Sequence, residues 1–127
     1  METLIESTKR FEKDLNRLDS SDKNRVIKAI NNCVTWVKKN GIYSAPKLVE
    51  LKMHSHVPGY ESSLYLLRVT QKNRIVLSID EDPIFGQIIF TLFRVFPADK
   101  IQENMNGFVE SIYQDLREDS EESQLIS

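Results

Sequence analysis

Three arginines lie within one largely apolar stretch, residues 64–96, and a guanidinium group is well suited to binding phosphate oxygens. They are Arg68, Arg74 and Arg94. An unpaired guanidinium is costly to bury, so each should either pair with a carboxylate or line a surface that meets anions. Arg68 and Arg74 are six residues apart across a predicted turn, and the strand register decides whether they converge or lie on opposite faces. The acids that offer the alternative, structural pairing are Glu50, Asp80 and Glu81.

A second group with potential chemistry is the His-Ser-His sequence, where His54 and His56 could ligate a metal or transfer protons near neutral pH. No cysteine is nearby and the spacing implies no third ligand, so we expect no metal site and no cofactor. The alternative is that both histidines simply lie in a surface loop. The sequence contains no glycine-rich phosphate loop, no GxSxG, no HExxH and no pair of CxxC motifs.

The composition is that of one globular domain, with 127 residues, 40% hydrophobic and 28% charged. No apolar segment approaches the roughly 18 residues that span a bilayer, and the N-terminus does not resemble a signal peptide. The single cysteine, Cys33, allows no internal disulfide and is expected to be a buried apolar side chain. We therefore expect a cytoplasmic protein with no membrane association.

The charge is unevenly distributed along the chain. The formal net charge is -2, but four acids and no base lie in residues 118–127. Without that segment, 17 basic and 15 acidic side chains leave a net charge of +2, and residues 1–52 alone carry +4. A mildly basic body is compatible with a phosphate-binding surface, and the acidic end is expected to be disordered.

The arginines are positioned by three predicted strands within residues 64–96, with turns at 70–73 and 81–86. In the middle strand, Ile75, Leu77 and Ile79 alternate with polar residues, which predicts one face in the core and the other outside. Val76 is the exception on the outer face.

The last of these strands, residues 88–96, is almost entirely apolar or aromatic, which predicts a central strand covered on both faces. Aromatic side chains in strands usually belong to the core. Only Phe96, at the strand end, is expected to offer a platform for stacking bases.

Helical periodicity precedes and follows the strands. A short first strand near residues 3–6 is followed by helices predicted at 9–18 and 22–39, the second ending at Asn40-Gly41. Residues 47–52 begin a strand or an extended segment, and 53–63 are predicted to be a loop. A final helix begins at Pro97-Ala98. Its apolar stripe comprises Ile101, Met105, Phe108, Val109, Ile112 and Leu116.

This order predicts an α+β fold: a small, twisted, mostly antiparallel sheet of four or five strands, with an N-terminal two-helix hairpin packed on one face and a C-terminal helix. The domain is expected to cover residues 1–117, followed by an acidic, disordered tail at 118–127.

The order of elements, together with specific residues, resembles the RelE/ParE superfamily of toxins from toxin–antitoxin pairs. The matching features are the helix segment from Phe11 to Leu18 after a first strand, the two-helix hairpin and Leu51-Lys52 ahead of a loop. The most specific is Leu67-Arg-Val-Thr-Gln-Lys-Asn-Arg74-Ile-Val, which is similar to the YoeB-like branch. The similarity covers about residues 2–100.

The resemblance implies a metal-independent endoribonuclease that cleaves messenger RNA in the ribosomal decoding site. The phosphodiester is transferred to the ribose 2′-oxygen, which needs a base, an acid and cations for the developing charge. Arg74 matches the arginine that holds the scissile phosphate, Arg68 a supporting basic position, and Glu50 lies close to the general-base position. The residues expected to contact RNA are Lys52, Lys72, Arg94, Phe96 and Lys100.

This chain departs from the family pattern at the end of the sheet, where an Arg-Tyr-His-Tyr type of sequence is common. Here Arg94 is followed by Val95, Phe96 and Pro97, so the expected acid is absent. Either His54 or His56 replaces it, or Lys100 acts electrostatically, or the protein does not cut RNA. In the last case it would be an inactive binding module, such as a gyrase inhibitor. The implied partners are a cognate antitoxin, the ribosome and messenger RNA, with a homodimer as an open alternative.

Overall fold

The computed structural model describes residues 2–51 and 64–101. It contains five strands and two α-helices in these ranges, with one short 3-10 turn at Ile42–Ser44. The elements are β1 (Glu2–Ser7), α1 (Lys9–Arg17), α2 (Ser20–Asn40), β2 (Leu48–Glu50), β3 (Leu64–Arg68), β4 (Asn73–Asp82) and β5 (Gln87–Pro97). Residues 98–101 are helical, so a further helix begins where the sequence predicted it. The predicted α+β class and the order of elements are confirmed.

The five strands form one mixed sheet in the order β1-β5-β4-β3-β2. Four neighbouring strands, β2 to β5, pair antiparallel, while β1 pairs parallel with β5, from Glu2 opposite Gln87 to Ser7 opposite Leu92. The helices α1 and α2 provide the connection that leads from β1 back across the sheet. The prediction of a mostly antiparallel sheet of four or five strands is therefore correct.

Both helices begin at side-chain caps that the sequence supplies. The Thr8 hydroxyl accepts a hydrogen bond from the Phe11 amide at 3.1 Å, and an Asp19 carboxylate oxygen accepts one from Asp22 at 2.7 Å. Such oxygens satisfy amide groups that lack a partner in the first helical turn. The second helix ends at Asn40 and is capped by Gly41, whose φ of 85° is in the region that glycine adopts without strain.

One face of the sheet, here called the helix face, forms the main core with α1 and α2. Phe11 of α1 and the buried apolar side of α2 pack against side chains of β3, β4 and β5, of which Phe90 and Ile75 are fully buried. The apolar residues of α2 at this interface are Val26, Ile30, Cys33 and Val37. Their 3.6-residue spacing is the pattern that predicted this helix.

The opposite face, here called the arginine face because Arg68 and Arg74 lie on it, carries a second apolar cluster. Val76 is fully buried and packs with Leu64 and Phe93. Ser78, two residues further along β4, is also buried. The expectation that this side of β4 lies outside was therefore wrong, because Val76 belongs to a cluster of its own.

Several predicted features lie outside the described residues. They are Lys52, His54, His56, the loop at 53–63, the part of the final helix that contains Met105, Phe108, Val109 and Ile112, and the acidic segment 118–127. Within the described ranges, no helix has both the length and the apolar character needed to cross a membrane.

Candidate functional site

Arg68 and Arg74 lie directly opposite each other on the antiparallel strands β3 and β4. Side chains of directly opposed residues point to the same face of a sheet, so the two guanidinium groups share the arginine face. The next strand continues this row, because Phe96 of β5 is opposite Arg74. Register thus resolves the alternative that the sequence left open, and places two cations and an aromatic ring in one row at one end of the sheet.

The Arg74 guanidinium is anchored to the turn that joins β3 and β4. Its Nη1 donates hydrogen bonds to the carbonyl oxygens of Thr70 and of Asn73, the latter at 3.0 Å. These bonds use one corner of the guanidinium and leave the edge formed by Nε and Nη2 without a partner among the described residues. That edge is one that binds carboxylate or phosphate through two parallel hydrogen bonds. The side chain is half-buried, so its orientation is held.

Arg68 is exposed at the end of β3, and its guanidinium has no carboxylate partner within the described ranges. Within those ranges, no ion pair joins Arg68 or Arg74 to any of the acids that the sequence offered, Glu50, Asp80 and Glu81. Two like charges directly opposite on neighbouring strands destabilise a sheet. An anion bound between them would remove that repulsion.

Arg94 has a different environment, because its guanidinium pairs with the buried carboxylate of Asp14 on α1. The Nε and Nη2 groups donate to the two carboxylate oxygens at 2.7 and 3.0 Å, and the Val95 amide donates to the same carboxylate at 3.0 Å. Arg94 therefore uses its Nε and Nη2 edge to bind a protein carboxylate, whereas the same edge of Arg74 has no partner among the described residues. A contact between Arg94 and RNA stays a prediction, and it would have to use the remaining corner of the group.

Phe96 is partly buried, and the Arg94 guanidinium carbon lies 4.6 Å from the centre of its ring. This distance is within the range of a cation–π contact. Arg94 thus lies over one face of the ring, and Phe96 also packs against the cluster of Leu64, Val76 and Phe93. A base stacked on Phe96 stays a prediction.

The two lysines predicted to contact RNA lie at the same end of the sheet. Lys72 is exposed in the β3–β4 turn, and its carbonyl oxygen accepts a hydrogen bond from the Ala98 amide at 2.7 Å. This bond ties the turn to the start of the final helix, where Lys100 is exposed two residues later. The turn, the end of β5 and the helix start therefore bring Lys72 and Lys100 to the end that carries Arg74.

Glu50 is not brought together with the arginine pair. It is opposite Tyr65 on the edge strand β2, and Tyr65 belongs to the main core on the helix face. The pairing places the exposed Glu50 side chain on the helix face, whereas Arg68 and Arg74 lie on the other. A register shift of one residue would reverse this placement, which is why the sequence could not determine it.

Other titratable groups in the described ranges do not extend the site. Burial raises the pKa of the Cys33 thiol from 9.0 to about 11, because the apolar surroundings disfavour the thiolate. Cys33 is therefore a neutral apolar side chain at physiological pH. Among the residues that the structure describes, no three His, Cys, Asp or Glu side chains are placed to hold a metal ion together.

Sequence reasoning missed Asp14. It lies three residues after Phe11, on the stripe of α1 that faces the sheet, and it is buried. A carboxylate on an apolar stripe signals a buried partner, since burial without one is costly. The signal was present in the sequence, but the partner is 80 residues away.

No protein-family profile matches the sequence, and no curated protein matches it significantly. Solved structures do match the fold. A YoeB/ParE toxin from Agrobacterium tumefaciens superposes with a TM-score of 0.52 and 15% identity, covering 76% of this chain and 98% of that one. A chain of the archaeal RelE–RelB complex from Pyrococcus horikoshii OT3 has a TM-score of 0.52 and 13% identity, with 76% and 96% covered.

A chain of the toxin–antitoxin complex RelBE2 from Mycobacterium tuberculosis matches similarly, with a TM-score of 0.50 and 11% identity over 76% of this chain and 99% of that one. Nearly the whole length of each matched chain is thus covered. The chain has the fold of the RelE/ParE superfamily, as the resemblance in its sequence predicted.

Proposed function

We propose that this chain is the toxin of a toxin–antitoxin pair and that it cleaves messenger RNA on the ribosome. The observation that carries the proposal is the pair Arg68 and Arg74, two guanidinium groups on one face with no carboxylate between them within the described residues. The fold supports the same conclusion, because it is shared with RelE-type and YoeB/ParE toxins. The partners that follow are a cognate antitoxin, the ribosome and its messenger.

We assign to Arg74 the role of binding the scissile phosphate. Its Nη1 is fixed on the turn carbonyls, so its Nε and Nη2 edge is oriented before substrate arrives. The phosphorane formed by attack of the 2′-oxygen carries more charge on its oxygens than the diester does. Two parallel donors therefore bind the transition state more strongly than the ground state, which is the requirement for catalysis.

Arg68 is assigned a supporting electrostatic role. It lies opposite Arg74, so a phosphate held by Arg74 is also within reach of the second positive charge. Lys72 and Lys100, exposed at the same end of the sheet, extend the positive surface along the RNA backbone. No metal takes part in the proposed reaction, because these cations supply the charge that a metal would otherwise supply.

The proton transfers require two further groups, one to accept the 2′-hydroxyl proton and one to protonate the leaving 5′-oxygen. Glu50 lies on the other face of the sheet from Arg74. His54 and His56 therefore remain the main candidates, and an imidazole exchanges protons readily near neutral pH. Alanine substitution of each histidine tests this assignment: a loss of cleavage rate identifies the proton donor or acceptor.

A second candidate function is an inactive module that binds a partner, such as DNA gyrase or an antitoxin, through the same surface. One observation favours it: Glu50, the candidate general base, lies on the other face of the sheet from the arginine pair. The two functions differ in their products, because only the nuclease generates new RNA ends.

The experiment is to incubate the purified chain with messenger RNA, with and without programmed ribosomes, and to map new 5′ ends. Cleavage that appears only with ribosomes supports the proposal. Growth arrest on expression without any cleavage would instead support the binding module.

A further inference from the structure

A second positively charged feature adjoins the arginine row at Arg68 and lies between α2 and the end of β3. It is a cavity of about 460 Å³, open to solvent, walled by α2 on one side and by residues 45–47 and 67–70 on the other. A volume in this range is typical of sites that bind small ligands or single nucleotides. The residues that matter for its chemistry are Arg25, Lys28, Asn32, Trp36, Lys47 and Arg68. We call it the α2 groove.

Charge is the first property of the α2 groove. Four of its described lining residues are cations, namely Arg25, Lys28, Lys47 and Arg68, and none is an acid. Among the residues that the structure describes, the one acid paired with any of them is Asp22, whose carboxylate is 3.9 Å from the exposed guanidinium of Arg25. Ion pairs at the protein surface contribute little to stability. The groove therefore has a positive potential that an anion would relieve.

The second property is an aromatic surface beside these charges. The side chain of Trp36 is 40% exposed although it lines the groove. Arg25, Lys28, Asn32 and Trp36 follow spacings of three or four residues, so they form one stripe along α2. The stripe extends about 16 Å at 1.5 Å per residue, which is longer than a single nucleotide.

The opposite wall is fixed by backbone contacts. The Arg68 amide donates a hydrogen bond to the Lys47 carbonyl oxygen at 2.9 Å, which holds the segment before β2 against the end of β3. Arg68 thus borders both the α2 groove and the row it forms with Arg74 on the arginine face. A chain of phosphates that passes Arg68 can reach both surfaces.

We propose that the α2 groove binds single-stranded RNA, with the phosphates on Arg25, Lys28, Lys47 and Arg68 and a base stacked on Trp36. Basic grooves with an exposed aromatic residue bind single strands in this way, because every base has a flat face and every nucleotide a phosphate. The amide of Asn32 is placed to hydrogen-bond a base edge. An acidic peptide would satisfy the charges but would leave the indole of Trp36 without a stacking partner.

This inference rests on the proposed function only for the choice of RNA as the polymer, and its test requires no cleavage. Trp36 is the only tryptophan of the chain, so its fluorescence reports on the groove directly. Titration of the full chain with a short single-stranded oligouridylate should quench this fluorescence. The affinity should fall as salt rises, by about 0.7 log units per log unit of salt for each phosphate contacted.

Two matched double substitutions distinguish RNA binding in the α2 groove from a nonspecific effect of the positive charge of the protein. Arg25→Glu with Lys28→Glu removes two groove cations, whereas Lys38→Glu with Lys39→Glu makes the same charge change at the exposed end of α2, outside the lining. The groove variant should lose about tenfold or more in affinity and about 1.4 units of salt slope, and the control should lose much less. Trp36→Ala should also weaken binding, followed by fluorescence polarisation of labelled RNA, and Trp36→Phe should restore part of it.

The proposal is overturned if oligouridylate does not quench Trp36, if both double variants weaken binding equally, or if an oligoglutamate peptide binds more tightly and displaces the RNA. Circular dichroism confirms that each variant is folded. The result of this binding test is distinguishable from the result of the cleavage test of the proposed function. If the protein binds RNA in the groove but cuts no messenger, this inference alone is supported. If the groove variants cleave messenger at the wild-type rate and oligouridylate does not quench the fluorescence of Trp36, the nuclease alone is supported.

Discussion

Asp14 accepts two hydrogen bonds from the Arg94 guanidinium and a third from the Val95 amide, and so joins the first helix to the last strand across 80 residues. Just before this point, β1 ends at Ser7, opposite Leu92. Among the described residues, no strand pairs with β5 on that side beyond Leu92, and the Asp14 carboxylate accepts the hydrogen bond of the Val95 amide there instead. The same contact holds Arg94 next to Phe96.

The first prediction concerns this contact. Asp14→Ala should lower the free energy of unfolding by about 3 kcal/mol, because it leaves a partly buried guanidinium and a buried amide without their acceptor. Urea unfolding followed by circular dichroism measures the change. Asn16→Ala, an exposed substitution on the same helix, should change the stability by no more than about 0.5 kcal/mol. Equal effects of the two substitutions would contradict the structural role of Asp14.

The second prediction concerns the repulsion between Arg68 and Arg74. Arg68→Glu places opposite charges on the directly opposed positions and should raise the free energy of unfolding by about 0.5–1 kcal/mol. Arg68→Gln, which only removes the repulsion, should give a smaller gain. Both gains should shrink in high salt, since Arg68 is exposed. If both variants are less stable than the wild type, Arg68 has a structural partner and is not held for an anion.

The third prediction concerns pH and Cys33. Burial raises the pKa of the thiol to about 11, above its value of 9.0 in an exposed chain, so the unfolded state releases this proton at lower pH than the folded state. The contribution of Cys33 to stability is therefore complete below pH 9.0 and is lost as the pH rises toward about 11. Urea unfolding of the wild type and of Cys33→Ala should show a difference in stability that narrows over this interval. A constant difference would mean that the thiol ionises equally easily in both states.

Local patterns in the sequence predicted the elements well. The spacing of Val26, Ile30 and Val37 predicted α2, and the alternation of Ile75, Leu77 and Ile79 predicted the buried face of β4, because each pattern depends on a period within one element. Arg68 and Arg74 lie close together in the chain, so only the register of one hairpin had to be added to place them on one face.

Long-range placements could not be obtained in this way. The parallel pairing of β1 with β5, the contact of Asp14 with Arg94 and the proximity of Trp36 to Lys47 all depend on segments that meet only in the folded chain. The position of Glu50 could not be predicted for a second reason. A shift of one residue in the pairing of β2 with β3 would move its side chain from the helix face to the arginine face, and the sequence does not determine that register.

The central claim is that Arg74 presents a free guanidinium edge to the scissile phosphate, and messenger cleavage on programmed ribosomes tests it most directly. Arg74→Lys keeps the charge but loses the two parallel donors, so it should lower cleavage substantially. Arg74→Ala should lower it by roughly a hundredfold or more, the effect of losing one strong transition-state donor. Both variants should remain folded, since Arg74 contributes only two hydrogen bonds to the turn.

Arg17→Ala, a change of an exposed arginine on α1, is the matched control and should cleave at the wild-type rate. We expect cleavage by the wild type and by Arg17→Ala, with the rate falling from wild type to Arg74→Lys to Arg74→Ala. Cleavage by Arg74→Ala at the wild-type rate, or no cleavage by the wild type, would contradict it.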